Sequence, residues 1–224
     1  MINYEINRFE WTPKFIMTSS SKFPVFIVLA ILQYCFPFPL QSQNQWEEKK
    51  SGHGITVYES DSDASSKYKT VRVHAVLIGT KEKLVKLLQA VERNTEWVYA
   101  TKRSSLVEKI SDSNLIYYSE TALPWPMKNR DQAIHLIIHP ETTDSILNIS
   151  TIGEPDRLPA KNGLVRVLKF SGLWKVKTIS PTQIDIDYIL NVDPSGSVPS
   201  WIVNMFVSKG PFETFTSLAD KLKE

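Results

Sequence analysis

From Trp46 onward, apolar and polar residues alternate along most of the chain, which is the pattern of β-strands with one buried face. Two segments, YKTVRVHAVL and QIDIDYILNV, show this pattern most clearly. Their inward-facing residues are Val71, Val73, Ala75 and Leu77 in the first and Ile184, Ile186, Tyr188, Leu190 and Val192 in the second. Further segments at 55–60, 105–110, 115–122, 132–139, 146–152 and 164–178 bring the total to about eight strands. Short connections favour antiparallel hairpins, and Ser171 with Gly172 predicts a bulge in the last segment.

Two predicted helices interrupt the strands. Thr80 is placed to cap the segment KEKLVKLLQAVERN, whose apolar residues recur at helical spacing. A longer helix is expected to begin near Ser197, with Pro199 in its first turn and a bend at Gly210 and Pro211. Its apolar stripe consists of Trp201, Ile202, Met205, Phe206, Phe212, Phe215, Leu218 and Leu222. The pattern predicts an α+β fold, in which a curved antiparallel sheet wraps around the C-terminal helix and encloses either a filled core or a cavity.

Length and charge narrow the classes of function. A chain of 224 residues suits one domain with a sizeable core. The formal net charge is +2, which does not provide the basic stripe that nucleic-acid binding requires. We therefore expect no nucleic-acid partner and at most a weak attraction to anionic membrane surfaces.

The N-terminal part of the chain has the layout of a secretory signal peptide. Residues 23–40 form an apolar stretch that follows Lys14 and Lys22 and precedes the polar segment QSQNQWEEKK. The uninterrupted apolar core of this stretch, residues 25–32, is short for a membrane span of about 20 residues. A cleaved signal peptide is therefore favoured over an uncleaved membrane anchor.

Cleavage within residues 41–45 would separate a leader, residues 1–43, from a domain, residues 44–224, with Met17 as an alternative start. The domain would then be secreted or periplasmic, and without cleavage it would be anchored to the membrane at its N-terminus. Cys35 is the single cysteine of the chain and lies in the leader. The mature domain would have no thiol for a disulfide, a nucleophile or a metal site.

The segment PWPMKNRD, residues 124–131, joins two predicted strands through a rigid corner, because proline fixes φ and restricts the residue before it. It is one of five motifs that occur in a fixed order. The others are WEEKKSGHGITVY, NTEWVYATKRSSLVEKISDSNLIYYSE, GLVRV and DPSGSVPSWIVNMFVSKGPFETFTSLADKL. In this order they resemble the START (steroidogenic acute regulatory protein-related lipid transfer) domain family, from Trp46 to the C-terminus. The resemblance implies a helix-grip fold.

The resemblance also implies a hydrophobic cavity that holds one lipid or sterol-like molecule, with the C-terminal helix and nearby loops as a gate. We expect a monomer that contacts membrane surfaces transiently and needs no cofactor, and the sequence contains no recognisable catalytic motif. The expected lipid-binding residues are Trp97, Tyr118, Glu120, Leu136, Tyr188, Trp201 and Met205. For the aromatic and methionine residues, ordinary core packing is the alternative. Arg130 and Asp131 are expected to anchor the proline corner through hydrogen bonds and an ion pair.

Three positions depart from the family pattern. Phosphatidylcholine-carrying members place an arginine and an aspartate where this chain has Asn94 and Val98. Several members, including sterol carriers, place an arginine in the cavity where this chain has Leu136. Without that arginine, Glu120 would be poorly paired if it faced the cavity. The less polar cavity favours a sterol-like, fatty-acyl or other apolar ligand over phosphocholine recognition.

Two other classes of function stay open. The first is an enzyme on the same scaffold, of the polyketide cyclase or aromatase type. The sequence offers few candidate catalytic groups for such an enzyme. His135 and His139 would lie about 13 Å apart on a strand, which is too far for them to share a metal ion. Asp185 and Asp187 alternate with isoleucines and are expected to face solvent. The second class is a protein-interaction module, whose interior would be filled by aromatic side chains.

Overall fold

Ten strands form one curved sheet in the computed structural model, which describes residues 46–60, 69–142 and 145–224. The strands are β1 (Glu47–Gly52), β2 (Ile55–Ser60), β3 (Thr70–Ile78), β4 (Thr101–Ser111), β5 (Asn114–Thr121), β6 (Arg130–Ile138), β7 (Leu147–Gly153), β8 (Val165–Arg166), β9 (Lys169–Ser180) and β10 (Gln183–Asp193). Their order in the sheet is β1-β2-β3-β10-β9-β7-β6-β5-β4, and β8 pairs with β6. Within the described ranges the pairings are antiparallel, apart from the parallel pair β6–β8.

All predicted strands are present, and two features were missed. The charged segment Glu47–Gly52 forms an additional edge strand, β1, which is joined to β2 by a two-residue turn. His53 and Gly54 in this turn both have positive φ, 54° and 75°, as the tight hairpin turns that match strand twist require. The predicted strand at 164–178 is divided into β8 and β9.

The prediction of a bulge at Ser171 and Gly172 was wrong, because both residues pair in regular register with β10 and β7. Gly172 is needed for a different reason. A Cβ atom there would lie 2.9 Å from the Tyr188 hydroxyl oxygen and would overlap the Thr151 side chain. The glycine therefore lets a tyrosine of the neighbouring strand lie across the sheet.

The outward side of β10 is charged, as its alternating pattern predicted. Asp185 lies 2.9 Å from His74 Nε2, and Asp187 lies 2.7 Å from Arg72 Nη2. Both are cross-strand pairs with β3. Ile184 and Ile186, which alternate with these aspartates, are fully buried on the opposite face, so β10 separates a charged outer face from an apolar inner face.

The first helical region is shorter than predicted and is divided. Helix α1 spans Lys81–Gln89, and the Thr80 hydroxyl caps it by accepting a hydrogen bond from the Lys83 N–H at 3.3 Å. A 3₁₀ turn, Val91–Arg93, and a short helix α2, Asn94–Trp97, follow. The division turns α2 toward the sheet, where Asn94 and Trp97 are buried.

The C-terminal helix, residues 200–223, has three parts. These are α3 (Ser200–Asn204), a π-helical segment (Met205–Lys209) and α4 (Gly210–Lys223). The irregular segment lies directly before the predicted bend at Gly210 and Pro211. Because Pro211 has no N–H, it cannot donate to the preceding turn, and the wider π-turn accommodates this.

Helix α4 packs against β2 and β3 and completes the core on the inner face of the sheet, the face turned toward this helix. The Phe215 ring stacks on Trp174 with centroids 5.4 Å apart, and Trp174 contacts Tyr188 at 4.3 Å. The predicted helix-grip fold is therefore confirmed: an apolar helix lies on the inner face of one curved sheet.

The predicted signal segment and its cleavage region lie outside the described residues, so the structure does not test them. Among the residues that are described, no helix is both long enough and apolar enough to cross a membrane.

Glu96 links α2 to the C-terminal helix. Its carboxylate lies 2.8 Å from Arg93 Nη2 and 3.1 Å from Lys221 Nζ, and these two partners lower the pKa of Glu96 from 4.5 to about 2. Because the pKa is lower in the folded state, the carboxylate stabilises the fold above pH 4.5, and this contribution is lost as the pH falls toward 2.

We therefore expect Glu96→Gln to lower the melting temperature slightly at pH 7, since the site is exposed to solvent. The difference from wild type should shrink as the pH falls below about 4.5. Thermal unfolding followed by circular dichroism at several pH values would measure it. The matched control is Glu48→Gln on the exposed edge strand β1. A Glu96→Gln effect that grew at low pH would contradict the assignment.

Candidate functional site

A cavity of about 270 Å³ lies between the inner face of the sheet and the C-terminal helix. It is close to the lower end of the range of roughly 300–1,000 Å³ that is usual for small-molecule sites. Its walls come from α2, the inner residues of β5, β6, β9 and β10, and the C-terminal helix. Most of the wall is apolar and includes Ile134, Leu136, Trp174, Tyr188, Leu190, Val203, Phe206 and Phe215. A hollow space, rather than a completely filled core, separates helix and sheet at this end.

Three of the predicted binding residues, Trp97, Leu136 and Tyr188, lie on the cavity wall. Leu136 and Trp97 are 2% and 5% exposed. Burial raises the pKa of Tyr188 well above its usual range, so this hydroxyl is neutral at physiological pH. These three residues offer a neutral, largely apolar surface to a ligand.

Trp201 and Met205, the two residues of the C-terminal helix that were predicted to bind lipid, do not line the cavity. Ile202 and Phe206, which belong to the predicted apolar stripe, line it together with Val203. Trp201 is 53% exposed, although its neighbour Ile202 is buried. The apolar stripe of this helix is broad, so the spacing of apolar residues does not show which of them face the cavity. For this reason the predicted binding residues on this helix were wrong.

Strand β5 presents the opposite face from the one predicted. Tyr117 and Ser119 line the cavity, while Tyr118 and Glu120 lie on the outer face. Both faces of β5 are buried, so the pattern of apolar residues does not distinguish them. The segment between β7 and β8 covers the outer face: the Lys161 ammonium lies 3.6 Å from the centre of the Tyr118 ring. Burial, with a smaller effect of the Asp131 carboxylate, raises the pKa of Tyr118 to about 12.

Glu120 anchors the proline corner instead of facing the cavity. Asn129 Nδ2 donates a hydrogen bond to Glu120 Oε1 at 2.8 Å, and Asn129 Oδ1 accepts one from the Leu123 N–H at 3.2 Å. The Lys102 ammonium lies 3.5 Å from the same carboxylate. Glu120 is therefore well paired, contrary to what was expected for a position facing the cavity. Its side chain points to the outer face of β5, where polar partners surround it.

Arg130 and Asp131 hold the corner, but they do not pair with each other because adjacent strand residues point to opposite faces. Asp131 is 1% exposed and accepts two hydrogen bonds from Arg166, both at 3.0 Å. Arg130 points inward and donates to the backbone carbonyls of Pro194 at 3.1 Å and Ser195 at 3.2 Å. Arg130 thereby ties the corner to the loop that precedes the C-terminal helix.

Some residues that line the cavity carry polar groups and were not among the predicted binding residues. Three buried atoms on lining residues have no hydrogen-bond partner among the described residues: Asn94 Oδ1, Trp97 Nε1 and Gln132 Oε1. An unsatisfied buried polar group costs about 1–3 kcal/mol. Such groups indicate a position for a polar part of a ligand or for ordered water.

The histidines that were weighed for metal binding lie on the outer face of β6 or beyond its end. His135 Nδ1 lies 2.9 Å from Glu154, and His139 Nε2 lies 2.8 Å from Ser150. In the part of the chain that the structure describes, no group of three or more His, Cys, Asp or Glu residues could hold a metal ion. The titratable side chains considered for catalysis therefore lie apart from the cavity.

Comparison with known sequences supports one family. The START domain family model matches residues 38–223. An uncharacterized protein of Pseudomonas aeruginosa is 29% identical over 173 residues, which are 77% of this chain and 84% of that protein. The phosphatidylcholine transfer protein of Mus musculus is 24% identical over 177 residues, which are 77% of this chain and 81% of that protein.

Comparison with solved structures agrees with the sequence comparison. A STAR-related lipid transfer protein (fragment 25–204) of Xanthomonas axonopodis has a TM-score of 0.73 and 27% identity, over 80% of this chain and 99% of that chain. Human StAR-related lipid transfer protein 5 has a TM-score of 0.67 and 18% identity, over 88% of this chain and 93% of that chain. The second similarity shows the fold alone.

Proposed function

The chain belongs to the START domain family, and from that premise we propose that it binds one lipid or similar apolar molecule in its cavity, for transport or sensing. The observation that carries this proposal is the space of about 270 Å³ under the C-terminal helix. Lipid transfer is also the activity in the names of the relatives from Mus musculus and Xanthomonas axonopodis.

The preferred ligand is sterol-like or fatty-acyl rather than a phosphocholine lipid. Asn94, Val98 and Leu136, three neutral residues, line the cavity at the positions where the family's carriers place charged residues. A small cavity with few fixed charges favours a slender apolar molecule, because burying an unpaired charge there would cost free energy.

We propose binding without a catalytic step. The histidines and carboxylates that an enzyme would need lie on the outer face of the sheet, in pairs such as His135–Glu154 and Asp185–His74. A ligand recovered from the protein should therefore be chemically unchanged.

Delivery of the ligand is proposed to involve transient contact of a monomer with a membrane surface. Trp125, on the proline corner, is 91% exposed, and Trp201, at the start of the C-terminal helix, is 53% exposed. Exposed tryptophans are typical of surfaces that enter the membrane interface. Arg130 connects the two segments through its hydrogen bonds to Pro194 and Ser195.

The location of the protein is proposed from the leader alone. A secreted or periplasmic domain requires cleavage within residues 41–45, and an intact chain would indicate an N-terminal membrane anchor. Mass spectrometry of the protein isolated from its native host distinguishes the two.

The test of the proposed function is lipid uptake. The full chain is incubated with vesicles that contain a sterol, a fatty acid, a monoacylglycerol and phosphatidylcholine, and is then separated from them and extracted. We expect about one lipid molecule per chain, with phosphatidylcholine at the lowest occupancy. A protein that extracts none of the four would overturn the proposal.

A further inference from the structure

Polar side chains form two neighbouring rows across β4, β5 and β6. In one row Ser104 pairs with Ser119, which pairs with Gln132. The next row consists of Thr101, Thr121 and Arg130. Side chains directly opposite each other on adjacent strands have Cβ atoms about 4.5–5.5 Å apart. The rows therefore make one end of the cavity polar, while the wall toward β9 and β10 is apolar.

Helix α2 covers this polar end. Asn94 and Trp97, which are 6% and 5% exposed, lie three residues apart on one face of the helix, and both line the cavity. Asn94 Nδ2 donates a hydrogen bond to the Ser104 hydroxyl at 3.3 Å. The helical and strand parts of the polar end are thus joined by a direct contact.

The unsatisfied atoms at this end define what a ligand must supply. Asn94 Oδ1 and Gln132 Oε1 are acceptors, and Trp97 Nε1 is a donor. One hydroxyl group can donate to one of the two oxygens and accept from the indole, and a head with two hydroxyls can donate to both oxygens. A carboxylate or a phosphodiester can only accept, so it would leave both amide oxygens unpaired.

The cationic residues on the described wall, Arg130 and Lys69, are engaged in other interactions. The guanidinium of Arg130 donates to three backbone carbonyls at 2.6–3.2 Å. The Lys69 ammonium lies 2.6 Å from the Glu59 carboxylate. An anionic ligand would have to compete with these interactions.

We infer that the polar end, defined by Asn94, Trp97, Ser119 and Gln132, selects ligands with an uncharged head that carries at least one hydroxyl. This inference rests on the proposed function and names the ligand class of the same cavity. The apolar part of the ligand then lies toward Leu136 and Tyr188.

Three probes with the same palmitoyl chain test the inference: monopalmitoylglycerol, palmitoyl lysophosphatidate and methyl palmitate. Their heads are a neutral diol, a single hydroxyl beside an anionic phosphate, and an ester without a hydroxyl. Competition against a fluorescent fatty-acyl probe, with the full chain, measures each affinity. We expect the monoacylglycerol to bind at least about tenfold more tightly than either of the others, because the phosphate would bury an unpaired charge and the ester would leave buried polar groups unpaired.

Gln132→Met removes one acceptor at nearly constant shape. It should weaken monopalmitoylglycerol about tenfold and leave methyl palmitate unchanged. The matched control, Gln183→Met at the start of β10, lies outside the cavity wall and should change neither affinity. Melting temperatures test whether both variants fold. If Gln132→Met does not fold, Asn94→Leu, which removes the other unsatisfied oxygen, is used in its place.

The outcomes separate this inference from the proposed function. Equal binding of monopalmitoylglycerol and methyl palmitate would overturn the inference and leave lipid binding intact. Tighter binding of the lysophosphatidate than of monopalmitoylglycerol would also overturn the inference. It would indicate that Arg130 contacts the anionic head of the ligand. Binding of none of the probes, together with no uptake from vesicles, would overturn both.

Discussion

Replacing Asp131 with alanine is expected to lower the free energy of unfolding by about 3–5 kcal/mol, the usual cost of removing one partner from a buried ion pair. The Asp131 side chain is 1% exposed and that of Arg166 is 11% exposed. Both carboxylate oxygens accept hydrogen bonds from this guanidinium at 3.0 Å. The pair holds β6 to β8 behind the cavity, and its hydrogen bond raises the pKa of Arg166. The variant would therefore leave a charged guanidinium without its carboxylate.

The matched control is Asp187→Ala, which also removes an aspartate from an arginine pair. The side chains of Asp187 and Arg72 are each 35% exposed, so this change should cost only about 0–1 kcal/mol. Urea denaturation of both variants measures the difference. Equal losses of stability would show that burial does not strengthen the Asp131–Arg166 pair as the structure indicates.

The second large effect concerns ligand binding. Val203 is partly buried on α3 and lines the cavity, so Val203→Trp should place an indole in the space that the ligand needs. We expect the affinity for the bound lipid to fall at least tenfold, which corresponds to about 1.4 kcal/mol. The vesicle uptake assay, repeated over a range of lipid concentrations, measures this loss.

The neighbouring residue provides the control. Asn204 is exposed on the same helical turn, so Asn204→Trp adds the same side chain outside the cavity. Its lipid uptake should match wild type. Both variants must show cooperative melting, because overpacking a core typically costs about 1–3 kcal/mol. Unchanged uptake by a folded Val203→Trp variant would show that the ligand lies elsewhere.

Much of the fold was predictable from the sequence, because most strands have one buried and one exposed face. In β10, for example, Ile184 and Ile186 alternate with Asp185 and Asp187, and only one orientation buries the isoleucines. Strand β1 could not be recognised this way. It is a charged edge strand whose existence depends on pairing with β2.

The site was less predictable, and the reason is physical. Where both sides of an element are covered, as in β5, apolar spacing does not tell Tyr117 from Tyr118. The cover over Tyr118 comes from the loop that contains Lys161, which is distant in sequence. The family resemblance did single out position 94, where this chain has a neutral asparagine. Gln132 gave no such signal, since its proposed role depends on cross-strand register with Ser119.

One apolar molecule is proposed to occupy the cavity between the sheet and the C-terminal helix, and native mass spectrometry of the full chain, purified under gentle conditions, would detect it. We expect a population of the chain with one added mass, which denaturing extraction releases as an intact lipid with a neutral head. This added mass should be much reduced in Val203→Trp and retained in Asn204→Trp. A chain that shows only its own mass, before and after incubation with lipid vesicles, would show that the cavity holds no such molecule.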